Sequence, residues 1–375
     1  MKRKIMFITT GLAYGGAETQ LVRLTERLVS RSWELSVISL LTPQAYTEEL
    51  ERSGIKVFSL GLHRRFPDPR AFAKLVKIIR CEQPAVITSF MIHANLLARF
   101  ARPITRVPIL ICSARNITES GRIGSLRIRE ILYKLTDPLC DITVQNSRAG
   151  FERYIRKGIV PENKMKYIPN GVDTLQFRPN IDIRNRLRKE LRLEGKFVWL
   201  TVGRFDPQKD YQNLLQAFSQ VTSKESNTRL LVIGDGPLNP IIKNLSRDLG
   251  LRDSINFLGI RRDVDEILNA ADGFVLASSW EGLPNVLLES ASVGLPIVAT
   301  DVGGNLEILV NEKTGFAVPP KDSDSLARAM IRLMLLPERV RLQMKEASRE
   351  HILNHFSFEQ VVAEWENLFL GFWGN

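Results

Sequence analysis

The sequence predicts an α/β protein of two Rossmann-like, doubly wound parallel-sheet domains, and three observations lead there. Apolar runs of strand length alternate with amphipathic runs of helical length, the pattern of parallel strands covered on both faces by crossover helices. The alternation comes in two series, the first ending near Ser113 and the second starting at Phe197, with a turn-rich stretch at 169–179 (P-N-G-V-D-T-L-Q-F-R-P) between them. At 375 residues the chain is long enough for two cores of ordinary size. In such sheets ligands bind beyond the carboxyl ends of the strands, so functional residues are sought in the loops that follow them.

Taken in order, residues 4–10 form an apolar strand that runs into the turn G-L-A-Y-G-G-A-E, and an amphipathic helix follows over 18–30. Further strands are expected at 35–40, 57–60, 85–89 and 109–113, with a helix at 69–80. The second series has strands at 197–202, 229–233, 256–258, 273–277 and 297–299, with helices near 211–220, 240–249, 264–270 and 285–293. The last of these helices is bounded by Pro284 at its start and by Gly294 and Pro296 at its end.

Composition narrows the function classes. Cys81, Cys112 and Cys140 are odd in number and lack C-x-x-C spacing, so they read as small core residues of a reducing compartment rather than a disulfide or zinc framework. No apolar run is long enough to span a bilayer, and the apolar start breaks into glycines and Glu18 rather than a cleavage site. Charge is uneven. Residues 1–180 carry 29 Lys and Arg against 15 Asp and Glu, whereas residues 181–375 carry 23 against 26. A basic first half suits an anionic partner, and nucleic acid is disfavoured because no recognised binding motif accompanies the charge. The segment at 122–134 offers Leu126, Ile131, Leu132 and Leu135 as one helical face with Arg122, Arg127, Arg129 and Lys134 beside it. That arrangement fits either an anionic membrane surface or a partly buried helix with solvated arginines.

The stretch S-S-W-E-G-L-P-N-V-L-L-E-S at 278–290 concentrates the chemistry. Unpaired N–H groups from Leu283 to Leu287, with Asn285 and Val286 between, would open the helix towards an anion. Glu281 falls in the preceding loop and Glu289 in the first helical turn. Acids beside a phosphate make sense if they hold sugar or ribose hydroxyls; otherwise Glu289 is a first-turn acid and Glu281 a solvated loop residue. T-V-G-R-F-D-P-Q-K-D brings Arg204 and Lys209 to a strand end, two cations suited to a diphosphate. G-D-G-P at 234–237 and F-L-G-I-R at 257–261 are strand-end turns whose backbone could read a flat base. Gly15 and Gly16 let the first loop approach a phosphate. They do not make G-x-G-x-x-G, and no acid closes the next strand, which disfavours a nicotinamide dinucleotide.

In their order, G-G-A-E, P-N-G-V-D, G-R-F-D-P-Q-K-D, G-D-G-P, F-L-G, E-G-L-P-N-V-L-L-E and D-V-G-G-N-L-E-I resemble the retaining glycosyltransferases of family 4. Those enzymes have the GT-B fold, two Rossmann-like domains facing across a cleft, and the likeness runs over essentially the whole chain. It is nearest to bacterial members that extend cell-envelope or lipid-linked glycans. The resemblance implies an acceptor-binding domain at 1–178, a nucleotide-sugar domain at 179–358, and a final helix at about 359–375, containing the aromatic tail from Trp365 to Trp373, that returns to the first. It implies that Arg204 and Lys209 hold the donor diphosphate, Glu289 the ribose and Glu281 the donor sugar. Leu283, Asn285 and Val286 would meet the phosphates, Ile260 and Arg261 the base, and Gly16 would let the first loop close. One departure stands out. Where many members carry a His-x-His pair, this chain has Thr88 and Phe90, with His93 three residues later and S-A-R-N at 113–116. His93 is either a substrate contact or a structural residue, and Arg115 and Asn116 are candidates for the acceptor side.

The expected reaction follows from these parts. D-V-D at 263–265 and D-S-D at 322–324 imitate a metal motif but sit at helix starts, where Asp is a normal cap, so no metal is expected. Cations and a helix start then neutralise the leaving diphosphate of a UDP-sugar, with front-face displacement and retention. No cofactor is implied beyond the nucleotide sugar as co-substrate. The expected acceptor is a glycan or polyprenyl-diphosphate-linked chain. The expected location is cytoplasmic, peripheral on the inner face of the cytoplasmic membrane. The rivals are a UDP-sugar 2-epimerase of the same fold, which needs a further acid/base set, and a non-catalytic nucleotide-binding protein.

Overall fold

A computed structural model describes residues 4–31, 33–62, 68–115 and 123–372. The chain divides into two compact units, Met1–Asn170 with Phe358–Asn375 and Gly171–Ser357. The division falls inside the turn-rich stretch, eight residues before the boundary expected from sequence.

In the N-terminal unit the elements run β1 (Lys4–Thr9), α1 (Gly16–Val29), β2 (Glu34–Ser39), α2 (Thr47–Arg52), β3 (Lys56–Ser59), α3 (Pro69–Glu82) and β4 (Val86–Phe90). They continue with α4 (Ile92–Thr105), β5 (Ile109–Ala114), α5 (Ile123–Leu135), β6 (Ile142–Gln145), α6 (Arg148–Arg156) and β7 (Met165–Tyr167). The strands make one parallel sheet in the order β3-β2-β1-β4-β5-β6-β7. Alternation along β1 sends Ile5 and Phe7 to one core and Met6 and Ile8 to the other, so both faces are covered. Cys112 and Cys140 lie in or beside this core as expected, whereas Cys81 is exposed on α3, so the core reading does not hold for it.

The second unit contains α7 (Ile181–Glu190), β8 (Phe197–Val202), α8 (Tyr211–Lys224), β9 (Thr228–Ile233), α9 (Asn239–Asp248), β10 (Ile255–Gly259) and α10 (Val264–Ala270). After these come β11 (Gly273–Leu276), α11 (Asn285–Ser292), β12 (Ile297–Thr300), α12 (Asn305–Ile308), β13 (Gly315–Val318), α13 (Ser323–Leu335) and α14 (Glu338–His355). Its parallel sheet has the order β10-β9-β8-β11-β12-β13. In each sheet the order reverses between two central neighbours, β1 and β4 or β8 and β11, and the loops after those strands flank the point where ligands enter such folds.

The last helix, α15 (Phe358–Leu370), belongs to the N-terminal unit. Trp365, 1% exposed, stacks on Phe90 with ring centroids 5.9 Å apart, and Glu366 accepts hydrogen bonds from Arg31 (2.7 Å) and Trp33 (2.9 Å). Trp373 lies outside the described residues.

Candidate active site

The loop after β8 is built to present a cation. Asp206 accepts from Gln208 N (3.1 Å) and starts a short 3-10 turn, Pro207–Lys209. Asp210, in left-handed conformation (φ 45°), then caps α8 through Asn213 N (3.3 Å) and accepts from Ser279 Oγ (2.9 Å) of the loop after β11. With the two loops tied, Lys209 Nζ lies 2.5 Å from Glu281 Oε1. Glu281 is 6% exposed and also accepts from Ser278 Oγ (2.7 Å) and Gln208 Nε2 (2.9 Å). One cation and two neutral donors thus compensate this buried carboxylate. Gly303 (φ 58°) holds the loop from behind. A Cβ there would lie 2.2 Å from the Glu281 carbonyl oxygen, which accounts for glycine in D-V-G-G. Gly304 N donates to the Gly282 carbonyl at 2.7 Å.

Arg204, in the same β8 loop, is exposed and has no ion-pair partner among the described residues. The start of α11 differs from the sequence expectation in three ways. Pro284 is the N-cap and Asn285 the first helical residue. Leu287 N donates to the Pro284 carbonyl (3.1 Å), so it is not one of the open N–H groups. Glu289 is the fifth helical residue, past the first turn, which removes its reading as a first-turn acid. Leu283 is buried, while Asn285 and Val286 are half-buried at the helix entry. Part of Glu289 remains accessible, but its carboxyl sits among protein atoms. That burial, together with the Asp265 carboxylate, pushes its pKa up to about 7.

The expected base-reading turns split. Ile260 and Arg261 project from the end of β10, both exposed, with Arg261 Nε 2.8 Å from Asp263 Oδ1. Gly234, in the G-D-G-P turn, has a packing role. Its φ is 141°, and a Cβ would lie 2.0 Å from the Gly203 carbonyl oxygen, so this glycine lets two strand-end loops pack backbone to backbone. Asp322 caps α13 through Ser325 N (2.8 Å), while Asp263 occupies the N-cap of α10 without a side-chain capping bond.

In the N-terminal unit Gly15 is the N-cap of α1 and Gly16 its first residue, and Glu18 folds back so that a Cβ on Gly15 would lie 2.5 Å from its Oε2. His93 is the second residue of α4 and is exposed at the surface. Desolvation by the surrounding protein, followed by the Arg129 charge, lowers its pKa below the ordinary histidine value. Before it, Met91 has φ 72° and ψ 156°, a conformation that costs about 1–3 kcal/mol for a side-chain-bearing residue and is often found beside active sites. Arg115 is buried at the end of β5 with its guanidinium 4.4 Å from the Phe90 ring centre. Phe90, standing where a histidine is common, thus packs Trp365 and carries Arg115. Asn116 lies outside the described residues.

The structure therefore joins Lys209, Glu281 and the α11 entry on one sheet edge, with Arg204 on the same β8 loop. Sequence reasoning missed Gln208, Ser278, Asp210 and Asp265. Gln208 and Asp210 flank Lys209 in the motif already singled out, and Ser278 begins the paired-glutamate stretch, so proximity in sequence was a usable signal. Asp265 had been read only as a helix-start acid. Among the described residues no group of three or more His, Cys, Asp or Glu is arranged to hold a metal ion.

Comparison with known proteins identifies the class. Residues 182–351 match the family described as "Glycosyl transferases group 1" and residues 14–176 match "Glycosyltransferase Family 4". The chain belongs to these nucleotide-sugar glycosyltransferases, and its two parallel-sheet units match GT-B structures. Among relatives, it is 29% identical to the UDP-Gal:alpha-D-GlcNAc-diphosphoundecaprenol alpha-1,3-galactosyltransferase of Escherichia coli, over 81% of this chain and 79% of that one. It is 26% identical to the capsular polysaccharide biosynthesis glycosyltransferase CapM of Staphylococcus aureus, covering 81% of each. The crystal structure of Anabaena HepE in complex with UDP-glucose superposes with TM-score 0.85 at 21% identity, over 98% of this chain and 99% of that one.

Proposed function

We propose that the protein transfers a hexosyl or N-acetylhexosaminyl group from a UDP-sugar to a polyprenyl-diphosphate-linked or other envelope glycan, with retention and without a metal ion. The observation that carries this reading is the Lys209–Glu281 pair on the same strand edge as exposed Arg204, which has no ion-pair partner among the described residues, and the start of α11. UDP is favoured by the nucleotide of the HepE complex, and the lipid-linked acceptor by the name of the E. coli relative.

In this reading Arg204, Lys209 and the first N–H groups of α11 bear the charge that develops on the leaving diphosphate. Glu289 accepts from the ribose hydroxyls. Glu281 accepts from a hydroxyl of the sugar once Lys209 turns to the phosphate. The bond from the anomeric carbon to the phosphate oxygen breaks as the acceptor oxygen attacks the same face. The acceptor proton passes to the departing phosphate oxygen, so no carboxylate nucleophile is needed.

A second observation supports an anionic membrane surface as partner. On α5 the apolar residues Ile128, Ile131 and Leu135 are 61%, 56% and 71% exposed, and their spacing puts them along one helix face beside exposed Lys134. Arg122 lies outside the described residues, and the side chains of Leu126 and Arg127 are likewise undescribed. No helix among the described residues is long and apolar enough to cross a membrane. The whole reading is tested by screening nucleotide sugars with a thermal-shift assay, followed by transfer to a lipid-diphosphate acceptor in excess chelator. A UDP-sugar should stabilise the fold by mass action and be consumed; stabilisation by none of the nucleotide sugars would sink the proposal.

A further inference from the structure

The carboxyl edge of the N-terminal sheet holds a buried positive charge for which the described residues supply no counter-ion. Arg115, directly after β5, is 8% exposed. Its Nη1 donates to Asn170 Oδ1 (2.5 Å), its plane rests on Phe90, and its Nε has no partner. Asn146, just after β6, donates through Nδ2 to the same Asn170 oxygen (3.3 Å), and its Oδ1 position is unpartnered. Ser113 Oγ and Thr88 Oγ1 are also buried and unpartnered. The register pairs Phe90 with Ser113 and Thr88 with Ile111, so alternation places Thr88, Phe90, Ser113 and Arg115 on one sheet face.

Buried polar atoms in native proteins almost always have partners, and a buried guanidinium is strongly unfavourable without an anion. Three orphaned donors on two neighbouring strands, Arg115 Nε, Ser113 Oγ and Thr88 Oγ1, therefore point to a hydrogen-bond acceptor ligand that completes them. The set offers donors, the guanidinium Nε edge and two hydroxyls, while Asn146 keeps its NH2 on Asn170. An oxyanion with several oxygens and a high charge, such as a phosphate, suits such a set. Phe90 and Asn170 fix the guanidinium plane, so the fork is organised before the ligand arrives.

We infer that Arg115, set by Phe90, Asn170 and Asn146, binds a phosphate or diphosphate oxyanion of the acceptor. The word acceptor rests on the function proposed above; the anion site does not.

The test is calorimetric titration of inorganic pyrophosphate into the full chain already saturated with UDP, so that the donor-side cations are engaged. Wild type should bind pyrophosphate. Arg115→Gln should weaken that binding by about tenfold to a hundredfold, Arg115→Lys should restore part of it, and UDP affinity should be unchanged in both. Equal pyrophosphate affinity in wild type and Arg115→Gln overturns the inference. If Arg115→Gln does not fold, amide exchange on wild type decides: pyrophosphate should protect the ends of β4 and β5, and no protection there overturns it. Farnesyl diphosphate binding more tightly than pyrophosphate assigns the anion to a lipid-linked acceptor, whereas equal affinity assigns it to a free phosphorylated one. Should UDP fail to bind, the donor reading falls, and the dependence of pyrophosphate binding on Arg115 still decides this site.

Discussion

Replacing Glu289 by Gln should make the unliganded protein more stable at pH 8 while weakening its hold on UDP. The folded structure raises the Glu289 carboxyl from 4.5 to about 7, through burial first and the Asp265 charge second. A folded-state pKa above the unfolded one means that the folded protein holds its proton more tightly. The unionised folded form is fully favoured below the unfolded value of 4.5, and that advantage is lost as pH rises through about 7. At 1.36 kcal/mol per unit, ionising the buried group costs the fold at most about 3 kcal/mol at pH 8. Gln is uncharged and escapes that cost. For a unit of this size it should melt up to about 6–12 °C higher than wild type at pH 8, with little difference at pH 4.5. The ribose hydroxyls meanwhile lose a charged acceptor, so UDP binding should fall by about tenfold to a hundredfold. Wild-type UDP affinity should rise with pH through about 7, and the variant's should stay flat. Scanning calorimetry at the two pH values, with UDP titrations, reads all of this. A variant no more stable than wild type at pH 8, or equally stabilised at pH 4.5, would refute the burial argument.

Other perturbations separate the remaining parts. Arg204→Ala should lose about 1.5–3 kcal/mol of donor affinity with an unchanged melting temperature, because that side chain is exposed and has no ion-pair partner among the described residues. Lys209→Ala should lose donor affinity and also destabilise the fold by about 3 kcal/mol, since it leaves buried Glu281 without its cation. Normal UDP binding by both variants would mean the donor site is misplaced. The α5 surface should bring the protein down with anionic liposomes at low salt, each cation near the surface contributing about 1 kcal/mol. Ile128→Ser with Ile131→Ser should reduce that binding, and wild type that ignores such liposomes would exclude the membrane partner.

Much of this was legible in the sequence, and the gaps have physical causes. Every strand expected at 4–10, 35–40, 57–60, 85–89 and 109–113 exists within about a residue, because a doubly buried parallel strand is a short apolar run with no competing helical period. β6, β7 and β13 were missed; in β6 and β7 polar Thr143, Gln145 and Lys166 interrupt the short apolar run. The contact of Lys209 with Glu281 was not read from the sequence, where the resemblance gave the two residues only separate roles. Their contact needs two loops 72 positions apart, tied by Ser279 and Asp210, and no spacing rule encodes that. Glu289 shows the same limit. Its position was close to right, but its altered proton affinity depends on burial and on Asp265 from another helix. Phe90 looked like a lost histidine, yet in three dimensions it is the platform under Arg115.

The central claim is that Arg204, Lys209, Glu281 and Glu289 serve same-face transfer of a sugar from a UDP donor, and the anomeric configuration of the product tests it most directly. Proton NMR should follow the full-length protein with an α-linked UDP-sugar and a lipid-diphosphate acceptor in excess chelator. The account predicts free UDP and an α-glycosidic product. A β-linked product, or a UDP-sugar inverted at C2 with its nucleotide still attached, would contradict it.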